Sequence, residues 1–277
     1  MKYESKFLSF SAFLILLAWF LCYSSSIAAE KAEDQMEYNY LENSEKGPKH
    51  WGDLKKEWVT CKNGHLQSPV DISSGTMKVS KNIGELEIMY KPSQSIIKNR
   101  GHDLSVQWPN NDAGSIKING TNYFFQQIHW HSPSEHTING KRYALELHMV
   151  HQCNDPKVKN NIAVIGLLYE FGSPDSFLSE LMGNITTMND QNRERSMGVI
   201  DPSLIKIGGN KYYRYIGSLT APPCTEGVIW TINELITSVS RDQVNAIRMA
   251  VHDNANENAR PIQPFNQREI QLYDHKS

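Results

Sequence analysis

Residues 123–131 read Tyr-Phe-Phe-Gln-Gln-Ile-His-Trp-His, and residues 143–151 form a second run of similar character, with Asn139-Gly140 between them. Two such runs around Asn-Gly are the strongest short-range signal for a β-hairpin, because both turn residues tolerate positive φ. Residues 104–108, the Asn119-Gly120 pair and the apolar run 162–169 continue the alternation of strand and turn. Two helices are predicted beside the strands. Residues 176–182 follow Ser173-Pro174, with proline at the first helical position and Gly183 at the end. Ser240-Arg241-Asp242-Gln243 reads as a capping box ahead of Val244, Ile247 and Val251 on one face. Residues 30–46 are polar and without periodicity, which suits an irregular arm. The expected class is mainly β (α+β), with short peripheral helices.

Composition narrows the function. With 277 residues, 39% hydrophobic and 21% charged, the chain is neither a disordered polar polymer nor a polytopic membrane protein. A net charge of −2 leaves no general basic field for nucleic acid. Lys2 and Lys6 precede the apolar run 7–23, and Ser24-Ser25-Ser26-Ile27-Ala28-Ala29 follows it. That pattern reads as a cleaved secretory signal, since the run is shorter than the ~20 residues that a bilayer span needs. Ser26 and Ala28 favour cleavage after Ala28, with Ala29 as second choice. Residues 1–28 are therefore expected to leave, and residues 29–277 to form one domain without membrane attachment. Cys22 departs with the signal, so Cys61, Cys153 and Cys224 predict one disulfide and one thiol, with the pairing open. Asn119-Gly120-Thr121 and Asn184-Ile185-Thr186 are sequons for glycans in that compartment.

The chemistry lies in the first hairpin. In a strand, His129 and His131 project from one face and Trp130 from the other. Glu146-Leu147-His148 begins fifteen residues after His131 and can pair with that strand, presenting His148 on the same face. Three neutral imidazoles from two strands make the tripod that a catalytic zinc takes, with a fourth position left for water. Gln127 and Glu146 each stand two residues before a histidine of the set, so each can accept a ring N–H and fix its tautomer. A lone His-x-His more often fills hydrogen-bond sites; the third histidine and the two same-face partners favour metal. His136 and His151 read as structural, and His50, His65, His252 and His275 as surface or local hydrogen-bonding residues. Residues 215–226 hold a Gly217-Ser218-Leu219-Thr220 turn ahead of Pro222-Pro223, a rigid loop that fixes a hydroxyl.

These segments, His129-Trp130-His131-Ser132-Pro133-Ser134-Glu135-His136-Thr137, Glu146 to His151 and Ser218-Leu219-Thr220-Ala221-Pro222-Pro223, resemble the α-class carbonic anhydrases. Gln67-Ser68-Pro69-Val70-Asp71-Ile72 and Arg260-Pro261-Ile262-Gln263-Pro264 are similar to the same family. The resemblance runs from about residue 40 to 267 and is nearest to the exported plant members. It implies reversible hydration of carbon dioxide to bicarbonate and a proton, with weak ester hydrolysis as a side activity. Zinc would sit on His129, His131 and His148, at the base of a conical cleft in one large, twisted, mostly antiparallel sheet. The resemblance further implies that Thr220 accepts from the hydroxide and donates to Glu135. Val150, Val164, Leu219, Thr220, Ala221, Val228 and Trp230 would line the substrate pocket, and His102 would export the proton. Cys61 and Cys224 would form the disulfide. The implied location is extracellular or apoplastic, with a plastid reached through the secretory route as the alternative. Ala221 stands where some relatives have a second threonine, and Cys153 lies outside the family pattern. Two other classes compete: a binding or storage protein on the same scaffold, and a zinc peptidase. The intact ligand set opposes the first, and the lack of His-Glu-x-x-His opposes the second.

Overall fold

The two Asn-Gly pairs form the tight turns that their chemistry predicts. Asn119 and Gly120 have φ of 50° and 81°, and Asn139 and Gly140 have 48° and 76°. The computed structural model describes residues 37–73, 75, 77–79, 83–188, 193–208, 211–251 and 257–274. The signal assigned to residues 1–28, His252 and His275 lie outside them. From Tyr38 onward the chain forms one unit.

The first strands are β1 (Asp71–Ile72), β2 (Met77–Val79), β3 (Glu87–Tyr90), β4 (Ser93–Asn99), β5 (Leu104–Gln107) and β6 (Gly114–Ile118). The site-bearing strands follow: β7 (Thr121–His131), β8 (Thr137–Ile138), β9 (Lys141–Arg142), β10 (Leu145–Gln152) and β11 (Ile162–Phe171). The last are β12 (Glu194–Ile200), β13 (Lys211–Ser218), β14 (Glu226–Asn233), β15 (Thr237–Val239) and β16 (Ile270–Asp274). One sheet of 13 strands runs β12-β4-β5-β7-β10-β11-β14-β13-β16-β2, with β3, β6 and β15 attached at its sides. It is mostly antiparallel, and β11 pairs parallel with β14 and β15, as β16 does with β2. β1, β8 and β9 form a separate three-stranded sheet. The architecture is mainly β around the one large sheet expected.

The hairpin reading needs one refinement. Asn139-Gly140 joins only the short strands β8 and β9, while β10 crosses back to pair with β7. Trp130, Ile128 and Phe125 enter the larger apolar core on one face of β7. Val164, Tyr213, Tyr215, Val228 and Trp230 form a second cluster nearer the histidines.

The helices are α1 (Trp51–Leu54), α2 (Thr60–Asn63), α3 (Ser176–Ile185) and α4 (Arg241–Val251). The α4 capping box is present: Gln243 N donates to Ser240 Oγ and Ser240 N to Gln243 Oε1, both at 3.2 Å. The expected ends of α3 shift. Asp175 caps it by accepting from Leu178 N at 2.8 Å, so Pro174 precedes the cap. The helix also runs through Gly183, where a side chain would meet open space. The irregular arm has no regular structure over residues 37–46, yet it is anchored: Tyr38 and Tyr40 pack against Trp51.

Candidate metal centre and its pocket

Register brings the histidines together. In the β7–β10 ladder His148 stands opposite His129, and Glu146 opposite His131. Each ring has one nitrogen committed to an atom that can only accept. His129 Nδ1 lies 3.0 Å from Gln127 Oε1, His131 Nδ1 lies 2.7 Å from the Asn258 carbonyl, and His148 Nε2 lies 2.8 Å from Glu146 Oε1. Those nitrogens therefore carry the protons, and the other three carry lone pairs. The three residues offer ligand atoms within 4.8 Å of one another. Burial, aided by Arg100 and the neighbouring imidazoles, pushes His129 well below its ordinary pKa. Burial likewise lowers His148, against the pull of Glu146. The neutral form is the ligating form.

The test of fit comes from orphaned atoms. His131 Nε2 is buried without a hydrogen-bond partner, and so is Glu135 Oε2, 3.5 Å away. Two buried acceptors facing each other are costly alone and suit a cation and its bound water. A second cluster, His136, Glu146 and His148, also has converging donors. Its separations are hydrogen bonds: Glu146 Oε1 accepts from His136 Nδ1 at 2.7 Å and from His148 Nε2 at 2.8 Å. Burial alone would raise the Glu146 pKa; the two imidazoles outweigh it and hold the carboxyl well below its usual range. The cluster's hydrogen bonds already commit these donor atoms to one another.

The His136 ring continues the network. With Nδ1–H committed to Glu146, its Nε2 accepts from the Tyr215 hydroxyl at 2.6 Å. The Tyr215 oxygen lies 2.8 Å from Ser68 Oγ, which accepts from Ser218 N at 3.1 Å. A buried chain thus ties His148 to the strand end just before Thr220. In the structure His136 is buried and hydrogen-bonded at both ring nitrogens, and the Asn258 carbonyl on His131 has no sequence signal. No local pattern marks a backbone oxygen 127 residues away.

Glu135 Oε1 accepts from Arg260 N at 2.8 Å, which aims Oε2 inward. Thr220 is buried at the wall of a cavity of about 290 Å³. Val150, Val164, Leu219, Ala221 and Trp230 line its apolar side; Gln127, the three histidines, Arg100, His102 and Asp103 line the polar side. Val228 departs from expectation. It shares a strand face with Trp230 but packs within the apolar cluster of Val164 and Tyr215, outside the cavity lining. His102 lies in the wall, only 6% exposed, and burial lowers its pKa against the influence of Asp103.

Cys61 and Cys224 form the disulfide, and Cys153 is a buried free thiol. Asn119 is exposed in its turn, whereas Asn184 is half-buried in α3 and Thr186 Oγ1 donates to Met182 O. His50 and His65 are exposed, and buried His151 meets the Tyr90 hydroxyl at 2.7 Å.

Comparison with known proteins agrees with this geometry. Residues 46–274 match the family model of eukaryotic-type carbonic anhydrases. The chain is 49% identical over 277 residues to carbonic anhydrase Nec1 of Nesocodon mauritianus, covering 100% of this chain and 99% of that protein. It is 47% identical over 265 residues to alpha carbonic anhydrase 7 of Arabidopsis thaliana, covering 94% of each. Among solved structures, dioscorin complexed with ascorbate superposes with a TM-score of 0.81 at 41% identity, over 86% of this chain and 98% of that one. The chain belongs to the α-class carbonic anhydrase family.

Proposed function

We propose that the chain is a zinc-dependent carbonic anhydrase, hydrating carbon dioxide reversibly to bicarbonate and a proton. The observation that carries this reading is the convergence of three unprotonated ring nitrogens beside the orphaned Glu135 Oε2. Bound zinc would supply a Lewis acid that, in carbonic anhydrases generally, lowers the pKa of water from 15.7 to about 7, so hydroxide exists at neutral pH. His129, His131 and His148 would hold it, with Gln127, the Asn258 carbonyl and Glu146 fixing their tautomers.

The rest is the work of the chain. The Thr220 hydroxyl, which makes no hydrogen bond to Glu135 in the structure, would donate to the orphaned Glu135 Oε2 and accept from the nucleophile, turning its lone pair toward the pocket. Val150, Val164, Leu219 and Trp230 offer carbon dioxide an apolar wall where water binds poorly. Ala221 narrows the rim less than a threonine would. His102 relays the proton outward, and its lowered pKa favours release over capture. Weak ester hydrolysis uses the same groups.

Residues 1–28 act as the secretory signal in this reading, and residues 29–277 as the exported enzyme, extracellular or sent on to a plastid. Asn119 and Asn184 are its glycan acceptors. The dioscorin similarity supports one alternative, a binding protein on the same scaffold. Zinc content and carbon dioxide hydration of the purified chain, with and without a chelator, separate the two. One zinc per chain with chelator-sensitive hydration is the expected result, and a zinc-free, inactive protein refutes the enzyme reading.

A further inference from the structure

Away from the metal centre, a cavity of about 360 Å³ is lined by two arginines, Arg214 and Arg268. Arg214 alternates along β13 with Tyr213 and Tyr215, so it leaves the sheet on the face opposite theirs. It is 8% exposed, yet every acceptor it meets is neutral. Nε and Nη2 reach Thr231 Oγ1 at 3.2 Å, and Nη1 reaches the Ile83 carbonyl at 3.3 Å. Arg268 spends its contacts on the carbonyls of Phe265, Ile216 and Pro264.

Among the described residues neither guanidinium has a carboxylate at ion-pair distance. Burial lowers the pKa of both; for Arg214 only the tyrosines Tyr212 and Tyr123 oppose it, and for Arg268 Tyr215 and the more distant Glu226 carboxylate do. A guanidinium has five N–H donors, so each retains two beyond these contacts. Asn160 and Gln271 add amides to the same wall. Glu269 is the one acid among the described lining residues, and it stands 3.6 Å from Lys78.

Arg214 is a buried cation without a counter-charge, which is costly, and half-buried Arg268 stands at the same cavity. The planar fork of arginine matches the oxygens of carbonate-like and phosphate anions. We infer that this cavity is a second binding site, taking a small oxyanion on Arg214 and Arg268. Bicarbonate and inorganic phosphate share that chemistry, and the geometry does not depend on the reaction proposed above.

The test follows the Nε–Hε resonances of Arg214 and Arg268 in the zinc-loaded protein, titrated separately with bicarbonate and with phosphate at constant ionic strength. Both resonances should move together and saturate, with a dissociation constant on the order of 1 mM. The tighter anion identifies the ligand. Gln271→Glu places a carboxylate in the wall and should weaken binding about tenfold by like-charge repulsion, leaving carbon dioxide hydration unchanged. Arg214→Gln should abolish saturation, and Gln271→Glu decides if that variant does not fold. Absence of saturable shifts below about 50 mM of either anion, or wild-type titration of the Gln271→Glu protein, overturns the site. Loss of hydration with intact anion shifts would instead refute the enzyme reading alone.

Discussion

The ring of Tyr38 lies 4.1 Å from that of His102, centroid to centroid, with 32° between their planes. Tyr40 meets the same imidazole edge-on at 5.9 Å, and Arg100 and Asp103 form a bidentate pair at 2.6 Å beside it. Neither nitrogen of His102 has a hydrogen-bond partner. The N-terminal arm thus covers the imidazole proposed as the proton relay.

That cover leads to the first prediction. His102→Ala should leave zinc content unchanged and slow turnover in dilute buffer, where proton export limits the rate. Concentrated imidazole, a diffusible base, should restore most of the loss. Full activity of the variant at every buffer concentration would make His102 a bystander.

The metal centre gives a second prediction. His131→Ala removes the one ligand whose free nitrogen is an orphan beside Glu135. Zinc measured by atomic absorption should fall far below one per chain, and hydration should vanish. Near-normal zinc in that variant would end the tripod assignment.

Thr220→Val keeps the shape of the cavity wall but removes the hydroxyl. Zinc should stay bound while hydration falls roughly 10²–10³-fold, the scale seen when one orienting hydrogen bond is lost. Unchanged stopped-flow rates would refute the orienting role.

Stability should depend on pH through His151. Burial lowers its pKa from 6.5 to about 3, against opposing backbone hydrogen bonds. Between these values the unfolded chain binds a proton that the folded chain refuses, so stability falls as pH drops from 6.5 toward 3. The slope is about 1.4 kcal/mol per pH unit. His151→Gln keeps an acceptor for Tyr90 without titrating. Urea unfolding should show its stability relative to wild type improving by about 2 kcal/mol between pH 6.5 and pH 5. Parallel pH profiles would contradict this.

The disulfide closes a loop of sequence separation 163. Its reduction should cost about 3–5 kcal/mol in the chain-entropy account. Non-reducing peptide mapping should recover Cys61 joined to Cys224, with Cys153 alkylated only after unfolding because it is buried. A bridge from Cys153 to either partner would refute that arrangement.

Alternation along a strand is a local property, and it alone determined that His129 and His131 share a face and that Trp130 opposes them. Turn chemistry likewise determined the Asn119-Gly120 and Asn139-Gly140 bends, and Ser240 with Gln243 determined the start of α4. The distant contacts belonged to the tertiary structure. Placing His148 opposite His129 required the β7–β10 register, which the Asn139-Gly140 turn does not impose because it joins β8 to β9. The Asn258 carbonyl on His131 and the Tyr38 ring on His102 join parts of the chain 127 and 64 residues apart. Val228 was named only through the family resemblance, and its packing with Val164, Tyr215 and Trp230 became visible only in the structure. Side-chain periodicity is set by the backbone of a few residues, whereas enclosure and orphaned atoms depend on which distant surfaces meet.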